Sequence, residues 1–582
     1  MSFILSHLRI HGRRYLWGSL FLIATNALAM SIPWRLKEII DSLEAGEATT
    51  GTLVQVALII AATAAALAIT RTISRWLILG SSRRIVYDVR NDLFAHMQTL
   101  PASFYGRHRT GELMSITVND LRLIRSLYGP CVLYILDLVI AYSIGLTLMA
   151  ILDPILMMAA IVPYPLLLLG VYRASHTIHR RSNATQEQLG EISNKVQENL
   201  SGINMVKAYG REESEIASFG ALCGEYRTRS IALARSRGLI GVLMMGLGGV
   251  SALVVFWLGA RHVIEGLLTL GGFVAFLTYL VPLTDRTIIM GWILGTFQRG
   301  LGAVGRIAAI HAERSDLPGD SAPGPVPPLA GQISFRNLTF TYPDGSGETP
   351  ARIREIDLEV PAGSMVGIVG RVGSGKSTLV HLLAGVYPVR DGSILVDGHD
   401  LNEIPTGHLR KHLSIVPQET FLFSRTIAEN IALGNPDARR DRIEEVAEIA
   451  QLSRDLHQFS HGLDTVVGER GVTLSGGQRQ RVALARALLR EPRILLLDDA
   501  LSSVDADTEE AILKDLRGYM RDRTTFVVSH RAATIFDADL IVAMDDGRIA
   551  EAGSPADLLR REDGLFSQMV RQQRIERELE SM

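Results

Sequence analysis

The sequence predicts an all-α membrane domain of six transmembrane helices followed by a soluble α/β domain. Three observations carry that prediction. An apolar fraction of 47% over 582 residues, with a positive mean hydropathy, points to a chain that lives partly in lipid. The apolar surplus gathers before residue 300, in six stretches of membrane-spanning length. Beyond a boundary rich in proline and glycine, short β-branched runs alternate with helical stretches, the pattern of helices packed on a parallel sheet.

The six stretches are residues 15–33, 53–79, 126–152, 154–172, 238–260 and 267–282. Each is close to the roughly 20 helical residues that cross a hydrocarbon layer about 30 Å thick. Any one alone would also suit the core of a soluble protein; six in one half of a chain argue for lipid. Lys and Arg near membrane ends stay on the cytoplasmic side. Arg9, Arg13 and Arg14 precede the first stretch, and the long loops after the second and fourth carry Arg83, Arg84, Arg90, Arg107 and Arg109, then Arg180, Arg181, Lys195, Lys207 and Arg211. The short connections at 42–52 and 153–154 have no basic residue, and 261–266 has one. Both termini are therefore expected on the cytoplasmic side of the cytoplasmic (inner) membrane, that of a bacterium. Residues 1–14 are expected to lie as an amphipathic helix on the inner leaflet, because the run 4–10 is too short and too interrupted, by His7 and Arg9, for a cleavable signal. The membrane domain then covers 15–311 with two long cytoplasmic loops. A linker follows at 312–330, crowded with Pro318, Gly319, Pro323, Gly324, Pro325, Pro327 and Pro328, and the soluble domain covers 331–582.

A net charge of -2 leaves no basic stripe for a nucleic acid, so that class of partner is excluded. Cys131, in a predicted span, and Cys223, in a cytoplasmic loop, lie too far apart in the topology for a bridge or metal site and read as buried thiols. In the soluble part, strands are expected at 364–369, 393–396, 413–416, 494–497, 524–528 and 540–544, with helices at 443–450 and 478–489. No internal repeat is visible.

The chemistry begins at Gly370, Arg371, Val372, Gly373, Ser374, Gly375, Lys376, Ser377 and Thr378, which follow one apolar strand and precede a helical stretch. Glycines there let backbone N–H groups converge on a phosphate. Lys376 would neutralise the β- and γ-phosphates of ATP, Ser377 would ligate Mg2+, and the helix N-terminus would add its partial positive charge. Asp498 ends the apolar run 494–497, where it would serve either as the metal-side carboxylate or as a cap for the next turn. Between them Leu474, Ser475, Gly476, Gly477 and Gln478 open a helix, as a second set of anion-facing N–H groups or as a plain glycine turn with an N-cap serine.

These residues resemble the ATP-binding cassette (ABC) proteins, because 474–478 matches that family's signature and its remaining motifs occur in order. By this resemblance Tyr342 stacks on adenine, Gln418 senses metal and γ-phosphate, Ser502 to Asp505 form the D-loop and His530 is the switch histidine. Residues 465–471 resemble the loop that precedes the signature in exporters. Six membrane helices and one such domain resemble an exporter half-transporter of the type I (type IV) fold. The resemblance implies an ATPase coupled to transport. Two nucleotide-binding domains close head to tail, so the chain needs a second half-transporter, with each ATP held between one phosphate loop and the other chain's signature. Turns near 103–111 and 208–213 would be the coupling helices that dock on these domains; their plain alternative is a solvated hairpin tip.

One residue departs from the pattern. Active family members carry glutamate after the metal-side aspartate, to polarise the attacking water; here it is Asp499. Removing one methylene withdraws the carboxylate by about 1.5 Å, and misplacement by about 1 Å costs on the order of a hundredfold in rate. A site with a degenerate base is the expectation: ATP bound but slowly hydrolysed. Work through a shifted water stays open. The substitution resembles asymmetric heterodimers, in which this chain's intact signature would complete the partner's competent site. The retained His530 leaves a homodimer open.

Substrate contacts are expected in the membrane half, where polar residues are costly. Arg35, Arg71, Arg75, Asp137, Asp285 and Arg286 either face a cavity or sit at helix ends; Trp257, Met244, Met245, Met290 and Trp292 either line an apolar cavity or pack on lipid and helices. The expected activity is export of hydrophobic or amphipathic compounds of multidrug type. A lipid flippase or peptide exporter shares every motif, and an ATP-gated channel or regulatory subunit is the non-transporting alternative.

Overall fold

In lipid every backbone N–H and C=O has to be bonded inside the chain, so the apolar segments fold as helices. The computed structural model describes residues 9–314, 328–342, 352–456, 459–468, 474–531 and 535–580. Most of the expected N-terminal amphipathic helix, at 1–8, lies outside them. The chain forms two units, Met1–Gln98 with Gly111–Ala312, and Thr99–Thr110 with Glu313–Met582.

In the first unit the six apolar stretches fall largely within helices, the third starting upstream of α3 and the sixth in the turn before α6: α1 (Gly12–Glu44), α2 (Thr50–Thr99), α3 (Val132–Leu152), α4 (Pro163–Ser201, preceded by a short helix Pro154–Ile161), α5 (Glu212–Ile264) and α6 (Leu270–Ala312). Among the described residues, four helices are long and apolar enough to cross a membrane, and two shorter apolar stretches occur at Pro154–Pro165 and Gly249–Ile264. The helices outrun the predicted spans. The 50 residues of α2 would extend about 75 Å at 1.5 Å per residue, more than twice the hydrocarbon thickness. Hydropathy marks where a helix leaves lipid; the helix itself continues until a breaker ends it. α2 stops just before Pro101, the N-cap of a short helix Ala102–Arg107. The corresponding tip between α4 and α5 is a helix Ile203–Ala208 followed by Gly210 at φ 59°.

Close helix contacts rely on small residues. A Cβ on Gly18 of α1 would lie 2.6 Å from Ile78 of α2, and one on Gly300 of α6 would lie 2.8 Å from Leu127. The segment leading into α3 carries two π-helical turns, Ile116–Asp120 and Leu127–Cys131, the second containing Pro130. Buried Asp120 accepts from Arg306 Nε at 2.7 Å and from its Nη2 at 2.6 Å. Cys131 is buried and Cys223 half-buried, both as free thiols, so only the first matches the expected burial.

The second unit holds two sheets built from β1 (Ile333–Phe340), β2 (Ile353–Val360), β3 (Met365–Gly370), β4 (Ile394–Val396), β5 (His399–Asp400), β6 (Leu413–Val416), β7 (Ile494–Asp498), β8 (Thr524–Val528), β9 (Leu540–Asp545) and β10 (Arg548–Gly553). Their orders are β2-β1-β4-β5 and β10-β9-β3-β8-β7-β6. β9, β3, β8, β7 and β6 pair in parallel, and β7 and β8 are buried at every position, which is why they read as unbroken apolar runs. The helices that matter for the site are α7 (Lys376–Leu383), α8 (Gly476–Leu489) and α9 (Ala506–Met520).

Candidate functional site

Register alone gathers most of the predicted residues. Ile368 of β3 lies opposite Val528 of β8, Val528 opposite Asp498 of β7, and Leu497 opposite Val416 of β6. The phosphate loop, Asp498, His530 and Gln418 therefore leave four parallel strands at the same carboxyl edge, where ligands bind in open α/β sheets. Gln418 is exposed there.

The phosphate loop turns through glycine conformations. Gly375 has φ 101°, and a Cβ on it would lie 2.9 Å from the Arg352 carbonyl, so the turn into α7 excludes any side chain. Lys376, 6% exposed, donates to the carbonyls of Gly370 and Arg371, both at 2.9 Å. Burial pushes its pKa down, and the carboxylates of Asp498 and Asp499 pull against that shift. The Ser377 hydroxyl donates to Asp498 Oδ1 at 2.9 Å. Asp498 is 1% exposed, and its Oδ2 is buried with no hydrogen-bond partner among the described residues. Burial pushes its pKa up, against the Ser377 hydrogen bond. An orphaned carboxylate oxygen beside a serine hydroxyl is a donor set that fits Mg2+. Tyr342 bonds Thr378 Oγ1 at 3.0 Å and meets Phe340 and Tyr387 edge-on, which seats its ring beside the phosphate-loop helix. Arg371, Val372 and Gly373 are exposed, whereas Ser374 is buried.

Asp499 occupies the left-handed region at φ 49°, tolerated by Asp and Asn better than by other side chains. Its N–H donates to Val528 O at 3.1 Å, and its carbonyl accepts from Ser502. Asp499, Ser502 and His530 line one cavity of about 210 Å³, together with the ion pair Glu509–Arg531. Asp505 caps α9 through the Thr508 N–H at 2.9 Å, a bond that holds its carboxyl below the usual range.

The signature opens α8 with a capping box. Ser475 Oγ accepts from the Gln478 N–H at 3.2 Å, and Gln478 Oε1 accepts from the Ser475 N–H at 2.9 Å. Leu474 is buried, and a Cβ on Gly477 would lie 2.9 Å from Ser503 O. The loop before it, 469–473, lies outside the described residues. Sequence reasoning missed Gln480. Only 3% exposed, it accepts from the Ser503 N–H at 2.9 Å and donates to Ser502 Oγ at 3.0 Å, tying the signature helix to the turn after Asp499. A polar residue one turn into an otherwise apolar helix face was the available signal.

The membrane candidates separate. Arg35 pairs with Glu38 at 2.7 Å, and Trp257 and Trp292 are exposed. Arg71, Arg75, Asp137, Asp285 and Arg286 line one cavity. Met290 does not line it, and the side chains of Met244 and Met245 lie outside the described residues.

Two family models match, one described as the ABC transporter transmembrane region over residues 16–286 and one as ABC transporter over residues 353–502. The chain is 34% identical to a probable multidrug resistance ABC transporter ATP-binding/permease protein of Bacillus subtilis, across 96% of this chain and 95% of that one. It is 32% identical to a multidrug resistance-like ATP-binding protein of Escherichia coli, across 99% and 96%. It is 33% identical to an ATP-dependent lipid A-core flippase of Desulfotalea psychrophila, across 82% and 83%. Its fold is similar to that of a bacterial Atm1-family ABC exporter with ATP bound, at a TM-score of 0.82 and 28% identity, covering 96% of this chain and 99% of that one. With its phosphate loop, signature and six long helices in this order, the chain belongs to the ABC transporters, as an exporter half-transporter.

Proposed function

We propose that this chain is one half of a heterodimeric exporter of hydrophobic or amphipathic compounds, contributing a slow ATP site and an intact signature. An ABC exporter binds ATP, couples its hydrolysis to transport and works as a dimer of half-transporters in a bacterial membrane; the finer reading concerns the partner, the cargo and the division of labour. Asp499 carries it. At the place where the base is needed, the carboxylate is one methylene short, while its backbone is held by Val528 and Ser502. The capping box is complete and takes up the Ser475 and Gln478 N–H groups, which fixes the helix start so that the Gly476 N–H could face a partner's ATP.

Within its own site, Lys376 would exchange the Gly370 and Arg371 carbonyls for phosphate oxygens. Ser377, Asp498 and Gln418 would hold Mg2+, which supplies charge neutralisation at the phosphates when bound. His530 would orient the γ-phosphate and Tyr342 would support the adenine. Closure is a population shift, driven by ATP binding the closed dimer more tightly. The apolar tip between α4 and α5, with Met205 62% and Tyr209 73% exposed, supports a partner chain as a surface on which one could dock. Placement in the inner membrane with cytoplasmic termini follows from the loop arginines.

Because Asp498 Oδ2 has no partner to give up among the described residues, Mg2+ with ATP is expected to raise the unfolding temperature above that with ATP and EDTA. Saturation at a hundred times Kd contributes about 2.7 kcal/mol. In Asp498→Asn the Mg2+-dependent part is expected to vanish.

The cargo and partner are tested together. The tagged chain, purified from its native membranes, is expected to bring a second half-transporter of different mass and to drive ATP-dependent dye uptake into inverted vesicles. A complex of twice 63.7 kDa would sink the heterodimer. A lipid exporter is the second reading, favoured by the flippase relative; labelled-lipid movement without dye uptake would select it.

A further inference from the structure

Resting on the export reading above, we propose that a cavity among α1, α2, α3 and α6 is a binding site for the anionic head of an amphipathic substrate. It is a partly open cavity of about 340 Å³ in which Arg71, Arg75 and Asp285 are exposed. On one side, Asp137 of α3 is already spent. Arg286 Nε donates to its Oδ2 at 2.9 Å and Asn26 Nδ2 donates to its Oδ1 at 2.8 Å. Asn26 Oδ1 in turn accepts from Arg286 Nη2 at 3.1 Å, so the three side chains close a ring that neutralises itself. On the other side stand Arg71 and Arg75, one helical turn apart and so on one face of α2. Neither has a side-chain partner among the described residues, and the remaining charge on the wall, Asp285, is likewise unpaired. Two free guanidinium groups against one free carboxylate leave a surplus positive charge in a membrane cavity, where an unmatched charge is costly and marks a ligand. Arginine's planar fork suits a carboxylate, sulfonate or phosphate. Much of the remaining lining, including Leu67, Leu133, Ile289 and Ile293, is apolar and suits a hydrocarbon or aromatic body, with Thr25 and Tyr134 as its polar exceptions. The occupant is therefore an anion attached to an apolar body, whether a free amphiphile or a lipid.

The test measures binding to the full chain in nanodiscs, without nucleotide, so that it does not depend on transport. The probes are an apolar fluorophore with a terminal carboxylate and its twin with a terminal quaternary ammonium. The carboxylate probe is expected to bind at least about tenfold tighter than its twin, and to lose about ten- to hundredfold in Arg71→Gln/Arg75→Gln. Asp285→Asn is expected to tighten it by roughly threefold or more, a gain that misfolding does not produce. Lys376→Ala, without ATP turnover, should still bind the probe. Displacement by phosphatidylglycerol but not phosphatidylcholine would identify a lipid source, and its absence a free amphiphile; either leaves the anionic site standing. Equal or tighter binding of the cationic twin, or unchanged affinity in both the arginine and Asp285 variants, overturns the proposal. Probe binding with no ATP-dependent uptake would instead count against the export reading alone.

Discussion

In the Asp499→Glu background, replacing Lys376 with Ala is expected to lower ATP turnover by at least about a hundredfold, the scale of losing one preorganised donor at a charged transition state. The side chain is buried, and its ammonium donates to two carbonyls of its own loop, Gly370 and Arg371. Those bonds hold the amine against the loop backbone. Burial lowers its pKa, and the two neighbouring carboxylates act against that fall. Alanine removes the charge and leaves the loop carbonyls facing an incoming polyphosphate. The backbone of the loop is set by its glycines and by α7, so the loss is expected in nucleotide binding and turnover and not in the fold. Equilibrium binding of a fluorescent ATP analogue, measured beside phosphate release, checks both parts. Retained turnover would move the nucleotide site away from this loop.

What could be read in the sequence followed from how each element is solvated. Strands covered on both faces, such as β7 and β8, are continuous apolar runs and were placed to within a residue. β1, β2 and β10 went unrecognised, because one face meets water and charged residues such as Arg336, Glu355 and Glu551 interrupt the pattern. The membrane helices were located but cut short, since α2 and α5 continue as polar helices once they leave lipid. The loop, signature and aspartates were legible because phosphate chemistry demands those residue types at fixed spacing. Gln480 was not, because its task is to join two segments far apart in sequence, a tie that only the packing of α8 against the Asp499 turn creates. The gathering of Arg71, Arg75, Asp137, Asp285 and Arg286 was likewise invisible, since nothing in helix periodicity says which faces of α2, α3 and α6 meet.

Asp499→Glu is the second large effect. Glutamate would return the missing methylene, about 1.5 Å of reach, and with it a rise in turnover on the order of ten- to a hundredfold. The backbone works against part of that gain. At φ 49° a longer side chain loses the local tolerance of Asp, at a cost of about 1 kcal/mol. The Val528 and Ser502 bonds, which hold the main chain in place, are unaffected by the side chain. The activity is therefore expected to rise while the unfolding temperature falls slightly, a split that separates placement of the base from general stabilisation.

The most direct measurement is ATP hydrolysis by the chain purified alone in lipid, beside Asp499→Glu and Lys376→Ala. Near-inert wild-type protein, with turnover restored by glutamate, is the predicted result, and it sends the competent site to a partner subunit. Brisk turnover by the unaltered chain, abolished by Lys376→Ala, would contradict it: Asp499 would be an adequate base and two copies of this chain would suffice.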